Sequence, residues 1–193
     1  MGQEEIERFN NAIAEFAASV GAVSQRESPA VAAGRALEID RFCAEADIEV
    51  AVNVVGQFGA SFPVAKVKAL ALEHGMSETA SGALVSHARD GAVEFTLRPF
   101  EDKTHKAAAI TWPGLTFALD LPHVAEAPEV FVDMVKVAES FAAKLSGELV
   151  DDNRKPLTEA GVAALKRTLD QVVRDMAAHG VPAGSELARR LFA

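Results

Sequence analysis

The chain holds a single cysteine, Cys43. One thiol cannot build an internal disulfide framework, and it suits a reducing compartment. No metal-ligand motif surrounds it, so it reads as a small buried hydrophobe within a helix. Long hydrophobic runs are missing as well. Nowhere do about 18 apolar residues follow one another, so no membrane span is predicted. Basic charge is scarce: 19 Lys and Arg against 28 Asp and Glu give a net charge of −9. That balance excludes a general nucleic-acid binder. The start, Met1-Gly2-Gln3-Glu4-Glu5, is acidic and has none of the features of a signal peptide. A soluble, cytoplasmic chain is expected, either free or cut from a longer, anchored parent.

Catalytic signatures are equally sparse. Gly56-Gln57-Phe58-Gly59 lacks the lysine and the spacing of a phosphate-binding loop. Gly-x-Ser-x-Gly does not occur. No two histidines stand at the i, i+4 spacing of a helical metal site. The groups left for an enzyme are Asp151, Asp152, His74, His87, His105 and His123. Adjacent aspartates can serve acid–base or metal chemistry. They also end strands and start turns, because their short polar side chains bond nearby backbone. The turn reading is preferred, and no cofactor or metal is expected.

What is present is a core-forming chain. Its 193 residues are 49% hydrophobic, enough for one or two domains. Ile6, Phe9, Ile13, Phe16, Ala17 and Val20 recur at threes and fours, which predicts a helix with one apolar stripe. Ser28-Pro29 opens a second, Ala-rich helix to about Ala46. Residues 1–46 read as a helical hairpin with its loop at 23–27. Residues 14–21 echo 139–146, either as part of a truncated repeat or as chance likeness between two Ala-rich helices.

Strand signals follow. Ile48, Val50, Val52 and Val54 alternate with polar or small residues. Pro63 opens a helix that Gly75 closes. A weaker strand lies at 83–87, and Arg89-Asp90-Gly91 is a turn. Val93, Phe95 and Leu97 alternate, and a polar connection runs from Pro99 to Ala107. Leu115, Phe117, Leu119 and Leu121 alternate after the Pro113-Gly114 turn. Pro128 starts a helix striped with Phe131, Met134, Val135, Ala138, Phe141 and Leu145. The stretch from Gly147 to Thr158 then organises the rest. Gly147 is expected to close the helix in a left-handed conformation. Glu148 to Asp151 reads as a short strand, Asp151-Asp152-Asn153 as a turn, and Thr158 as the cap of a last long helix to about His179. Ser185 is expected to cap a short helical tail. The pattern predicts an α+β fold of two layers, with one sheet face under helices and the other polar or open.

Three of these stretches carry a family resemblance. Leu149-Val150-Asp151-Asp152-Asn153-Arg154 with Thr158, the run Pro113-Gly114-Leu115-Thr116-Phe117-Ala118-Leu119-Asp120-Leu121-Pro122, and Val50–Val54 around Asn53 occur in the right order. From about Asp47 to Gly180 the chain resembles the C-terminal domain of the bacterial cell-division protein ZipA, which binds the tail of the tubulin-like FtsZ. The resemblance implies a split β-α-β type fold with about six mainly antiparallel strands backed by three helices. It makes residues 47–193 a ZipA-like domain that binds a protein tail and catalyses nothing. It also implies that the outward sheet face takes the FtsZ C-terminal peptide. By alternation that face carries Ala51, Asn53, Thr96, Arg98, Phe100, Thr116 and Ala118. At positions 49, 98 and 118 the family has Val, a small residue and Phe; this chain has Glu, Arg and Ala, so a more polar groove is expected. Two other readings remain: a structural or dimerisation module of the same fold whose groove is covered, with the helical hairpin as one cover, or repurposed for another partner, and a hydrolase or metal enzyme built on Asp151 and Asp152. Whether the outward face is open distinguishes them.

Overall fold

Valine at alternate positions gives the sheet one of its inner strands. Val50, Val52 and Val54 point the same way along β1 (Glu49–Gly56), and all three are buried. The computed structural model describes residues 2–100 and 110–192. His105 and most of the expected polar connection from Pro99 to Ala107 lie outside the described residues.

The chain divides into two units, Met1–Glu45 and Ala46–Ala193. The first holds α1 (Gln3–Ser19) and nearly all of α2 (Pro29–Ala46). This helical pair is pinned near its loop, where Arg26 donates to the Asn10 carbonyl at 2.7 Å and Asn10 Nδ2 donates to the Glu27 carbonyl at 3.3 Å. The two helices share no extended interface. The expected apolar stripe of α1 is therefore mostly in solvent: Phe9 is 64% exposed and Phe16 67%. On α2 too the large apolar residues Val31, Leu37 and Ile39 are exposed, so neither helix buries its apolar side chains on the other.

The second unit is built on a six-stranded antiparallel sheet. Besides β1 it uses β3 (Ser77–Glu78), β4 (Leu84–His87), β5 (Val93–Pro99), β7 (Gly114–Asp120) and β8 (Gly147–Val150). Their order is β3-β4-β5-β7-β1-β8. A separate two-stranded piece pairs β2 (Phe62–Pro63) with β6 (Thr111–Trp112). The helices are α3 (Val64–Glu73), α4 (Ala127–Leu145), α5 (Glu159–Ala178) and the short α6 (Glu186–Leu191). This is the α+β class expected.

The inner face of the sheet is sealed by α4. Leu97, Leu115, Phe117 and Leu119 are fully buried, as are Phe131, Met134, Ala138 and Phe141 of the helix. Phe117 meets Phe141 edge to face, with ring centroids 5.3 Å apart, an arrangement that adds about 0.5–1.5 kcal/mol beyond area burial. On the far side α5 packs on α4 through Leu169 and Met176. Lys166 of α5 reaches Glu129 of α4 at 3.0 Å.

The end of α4 departs from expectation. Ser146, not Gly147, takes the left-handed conformation, with φ of 56°. Gly147 is already in β8, and its glycine is required for space. A Cβ there would lie 2.9 Å from Val54 Cγ1 and 3.0 Å from the ring of Phe62. The helix after the turn starts as expected, with Thr158 Oγ1 accepting from the backbone N–H of Gly161 at 3.2 Å.

Candidate functional site

The register of three strands lays out the outward face. Ala51 stands opposite Ala118, which stands opposite Thr96. In the next row Asn53 stands opposite Thr116, which stands opposite Arg98. At the other side of the alanine row Glu49 pairs with Asp120. Phe100 follows the end of β5 and donates its backbone N–H to the Gly114 carbonyl at 3.0 Å. The seven residues read as outward from the sequence therefore share one surface, but they split into two environments.

One end is filled. Thr116 Oγ1 donates to Asn53 Oδ1 at 2.7 Å, and Asn53 Nδ2 donates to Asp152 Oδ1 at 3.0 Å. Asn53 and Thr116 are both buried, at 1% and 7% exposure. Their polar atoms are used within the protein, as buried polar groups must be. The turn after β8 supplies this cover. Asp151 Oδ1 accepts from the backbone N–H groups of Asn153 and Lys155, each at 2.8 Å. Arg154 adopts a left-handed φ of 60° and places its guanidinium over the Phe100 ring, 5.4 Å from the centroid. Phe100 in turn packs on Gly114, where an added Cβ would come within 3.0 Å of Phe100 Cβ. Asp151 and Asp152 thus hold a turn against the sheet.

The other end is open. A concavity of about 490 Å³ is lined by Glu49, Glu94, Thr96, Arg98, Ala118 and Asp120, with His123 and Arg189 on its walls. That volume lies in the range of ligand-binding clefts. Arg98 crosses it, donating through both terminal nitrogens to the Glu49 carboxylate at 2.6 and 3.1 Å. The register puts β7 between these two residues, so the ion pair spans the strand at Ala118, whose small side chain leaves room for it. The hydrogen bonds from the guanidinium to Glu49 hold its pKa above the ordinary value, against the effect of partial burial. Glu94 accepts from Ser86 Oγ at 3.0 Å. Asp120 Oδ2 lies 2.9 Å from His123 Nδ1, near enough for an ion pair with a protonated ring but without hydrogen-bond alignment. The wall carrying Arg189 is fixed by the chain's return: Gly184 N–H donates to the Pro122 carbonyl at 2.9 Å, and Ser185 Oγ caps α6. A Cβ at Gly184 would stand 2.4 Å from Ala125 N, so only glycine permits this approach.

This β-sheet face, the strand order and the aspartate turn all lie within one matched region. The family described as ZipA, C-terminal FtsZ-binding domain, matches residues 49–168, more than half of the chain. The chain belongs to that family. No curated protein matches it. The ZipA match begins at the first residue of β1 and ends within α5 at residue 168, so it takes in both ends of the outward face but not the wall carried by α6. The family is one of FtsZ binding in cell division, a protein-binding function. Among the described residues of this ZipA-type chain no helix is long and apolar enough to cross a membrane.

The remaining candidates are dispersed. His74 Nε2 lies 3.0 Å from Ser140 Oγ, and His87 Nδ1 lies 3.4 Å from Ser77 Oγ. Among the described residues no three His, Cys, Asp or Glu side chains form a group able to hold a metal. Cys43 is half-buried. Among the groove residues after β7, two escaped the sequence reading. Val124 and Arg189 reach the open end only because the C-terminal segment folds back against the turn after β7, and no periodicity announces such a return.

Proposed function

We propose that this domain holds the C-terminal tail of FtsZ along its outward sheet face, and that the tail enters at the open end. One observation carries the reading: Thr96 and Ala118, neighbours in one row of the sheet, are small side chains lining a concavity of about 490 Å³, and Ala51 continues their row beyond it. Small residues on a sheet floor let a peptide approach closely, and the flanking charged groups give it orientation. Thr96 and Arg98 would touch the peptide directly, with the buried Ala118 beneath them and Ala51 next in the row. Asn53 and Thr116 would act from beneath, by fixing the turn that ends the groove. Phe100, half-buried against Gly114 and under Arg154, would offer an apolar contact at that end. The domain would act by binding alone, with Asp151 and Asp152 in a structural role.

The test is a fluorescence titration of a labelled FtsZ C-terminal peptide against the full chain and against Thr96→Arg. The substitution places a long side chain on the floor of the concavity from a half-buried position. It should cost more than tenfold in affinity while leaving the denaturation midpoint close to that of the parent. Unchanged affinity in Thr96→Arg, or no binding by the parent at high micromolar peptide, overturns the assignment of the site.

A further inference from the structure

The open end of the groove carries more negative than positive charge, and this refines the site proposed above, on which the inference rests. Three carboxylates line it, Glu49, Glu94 and Asp120, against two guanidiniums, Arg98 and Arg189. The strand register makes the imbalance local. Glu49 of β1 stands directly opposite Asp120 of β7, and like charges so placed repel. Arg98 answers only one of the two, since both of its terminal nitrogens donate to Glu49. Asp120 accepts no hydrogen bond among the described residues. Its carboxylate only lies beside His123 Nδ1, an atom that is itself buried without a hydrogen-bond partner. Glu94 and Asp120 each lie two residues beyond the Thr96–Ala118 pair of the antiparallel register, so they stand at the same end of the groove. Arg189, on the α6 wall, offsets at most one of these two charges.

We infer that Asp120, supported by Glu94, sets the specificity of the groove by accepting a basic side chain, Lys or Arg, of the bound peptide. An ionised carboxylate only accepts hydrogen bonds, so its partner must be a donor. Asp120 is the last residue of β7 and its side chain is 55% exposed, so a long side chain reaches it without burying an unpaired charge. Glu94 spends Oε2 on the Ser86 hydroxyl, and its Oε1 accepts no hydrogen bond among the described residues. A cation at this end gains Asp120 and relieves its repulsion with Glu49. The small side chains of Thr96 and Ala118 leave room for the aliphatic stem of Lys or Arg, which packs on such a floor while its charged head stays wet. The Arg98–Glu49 pair stays as it is, so nothing in the protein has to be broken to admit the peptide. An acidic side chain would instead add a fourth carboxylate to the row.

The experiment titrates the full chain with two forms of the FtsZ C-terminal peptide. One keeps its Lys and Arg side chains, and in the other each is replaced by Gln. The readout is the ratio of the two affinities. The parent should prefer the basic form about two- to fivefold, the scale of an exposed ion pair. Asp120→Asn should bring the ratio to about one, with the denaturation midpoint recorded alongside. Glu94→Gln keeps an acceptor for Ser86 and should lower the ratio as well, so it serves if Asp120→Asn disturbs the end of β7. Arg189→Gln removes the competing cation and should raise the ratio. Glu139→Gln removes an exposed carboxylate from α4, on the other side of the sheet, and should leave the ratio as it was. A parent ratio of one or less, or an unchanged ratio in Asp120→Asn, overturns the inference. So does an equal loss for both peptide forms in Asp120→Asn, which marks a structural role, or an equal fall in Glu139→Gln, which marks net charge alone. If Thr96→Arg abolishes binding while Asp120→Asn leaves the ratio unchanged, the groove stands as the site and the basic subsite falls; if Thr96→Arg has no effect, both fall.

Discussion

Asn53 and Asp152 are 99 positions apart in the chain and 3.0 Å apart in the fold, joined by a hydrogen bond from the Asn53 amide to the Asp152 carboxylate. Asn53 is almost wholly buried and also receives the Thr116 hydroxyl. Loss of Asp152 leaves an amide N–H without a partner beneath the turn, which costs about 1–3 kcal/mol. Asp152→Ala should therefore lower stability in urea melts by that amount, while Asp152→Asn, which keeps an acceptor, should lose much less. Equal losses in the two variants would mean that charge, and not the hydrogen bond, holds the turn.

Asp151 works on the turn's own backbone, accepting from Asn153 and Lys155. Asp151→Ala should cost about 0.5–2 kcal/mol, as for other side chains that satisfy exposed backbone donors. Tight stoichiometric binding of a divalent metal, lost in both the Asp151 and Asp152 variants, would contradict a structural role. Calorimetric titration with magnesium and zinc measures it.

Gly114 offers a different kind of check. Its added Cβ would meet Phe100 Cβ and the Val54 carbonyl oxygen, both at 3.0 Å. The carbonyl belongs to the sheet and cannot move, so the aromatic ring must. Gly114→Ala should destabilise by about 1–3 kcal/mol, the usual range for overpacking, and should shift Phe100 off the filled end. If FtsZ-peptide affinity is unchanged in this variant, Phe100 contributes nothing to the site.

The fold was legible where one period repeated. Val50, Val52 and Val54, and then Leu115, Phe117 and Leu119, alternate over enough positions to define a strand and its buried face. Thr158 was legible because a cap needs one side chain at one place. The two-residue strands β2, β3 and β6 contain no period to read. The left-handed helix end fell on Ser146 because Gly147 was needed for close packing, and a sequence does not distinguish these two uses of glycine. The stripe of α1 shows which residues share a face but not whether a neighbour covers that face. At the site, Thr96, Arg98 and Ala118 followed from alternation. Their ion-pair partner did not, because Glu49 meets Arg98 only once β5, β7 and β1 are known to lie side by side.

The acid side of the stability profile has a specific contributor. Glu73, at the end of α3, accepts a hydrogen bond from Lys144 of α4 at 2.6 Å. That hydrogen bond holds the carboxyl below its ordinary pKa of 4.5. A folded-state pKa below the unfolded one gives stability that is fully present above about pH 4.5 and is lost as pH falls through the lower folded value. Glu73→Gln should lower stability at pH 7 and narrow the difference between pH 7 and pH 3. A variant whose pH dependence matches the parent's would remove this pair as a source.

The last prediction concerns the boundary between the two units. Ala46 is buried while Glu45 is exposed, and the family match begins at Glu49. The sheet, α4 and α5 supply their own core, with Phe117, Phe131 and Phe141 fully buried. The first unit contributes only Ala17 as a buried apolar residue of its own helix α1. A fragment spanning 46–193 should therefore fold alone. Its circular dichroism should show a mixed α/β spectrum and a cooperative melt, with a midpoint near that of the full chain. The isolated 1–45 segment should be largely unfolded, since two helices without an extended interface have little packing to hold them. Peptide titrations should then compare the fragment with the full chain. Tighter binding by the fragment would show that the helical pair competes for the groove, and equal binding would show that it does not. An unfolded fragment would place the helical pair in the core and move the domain boundary.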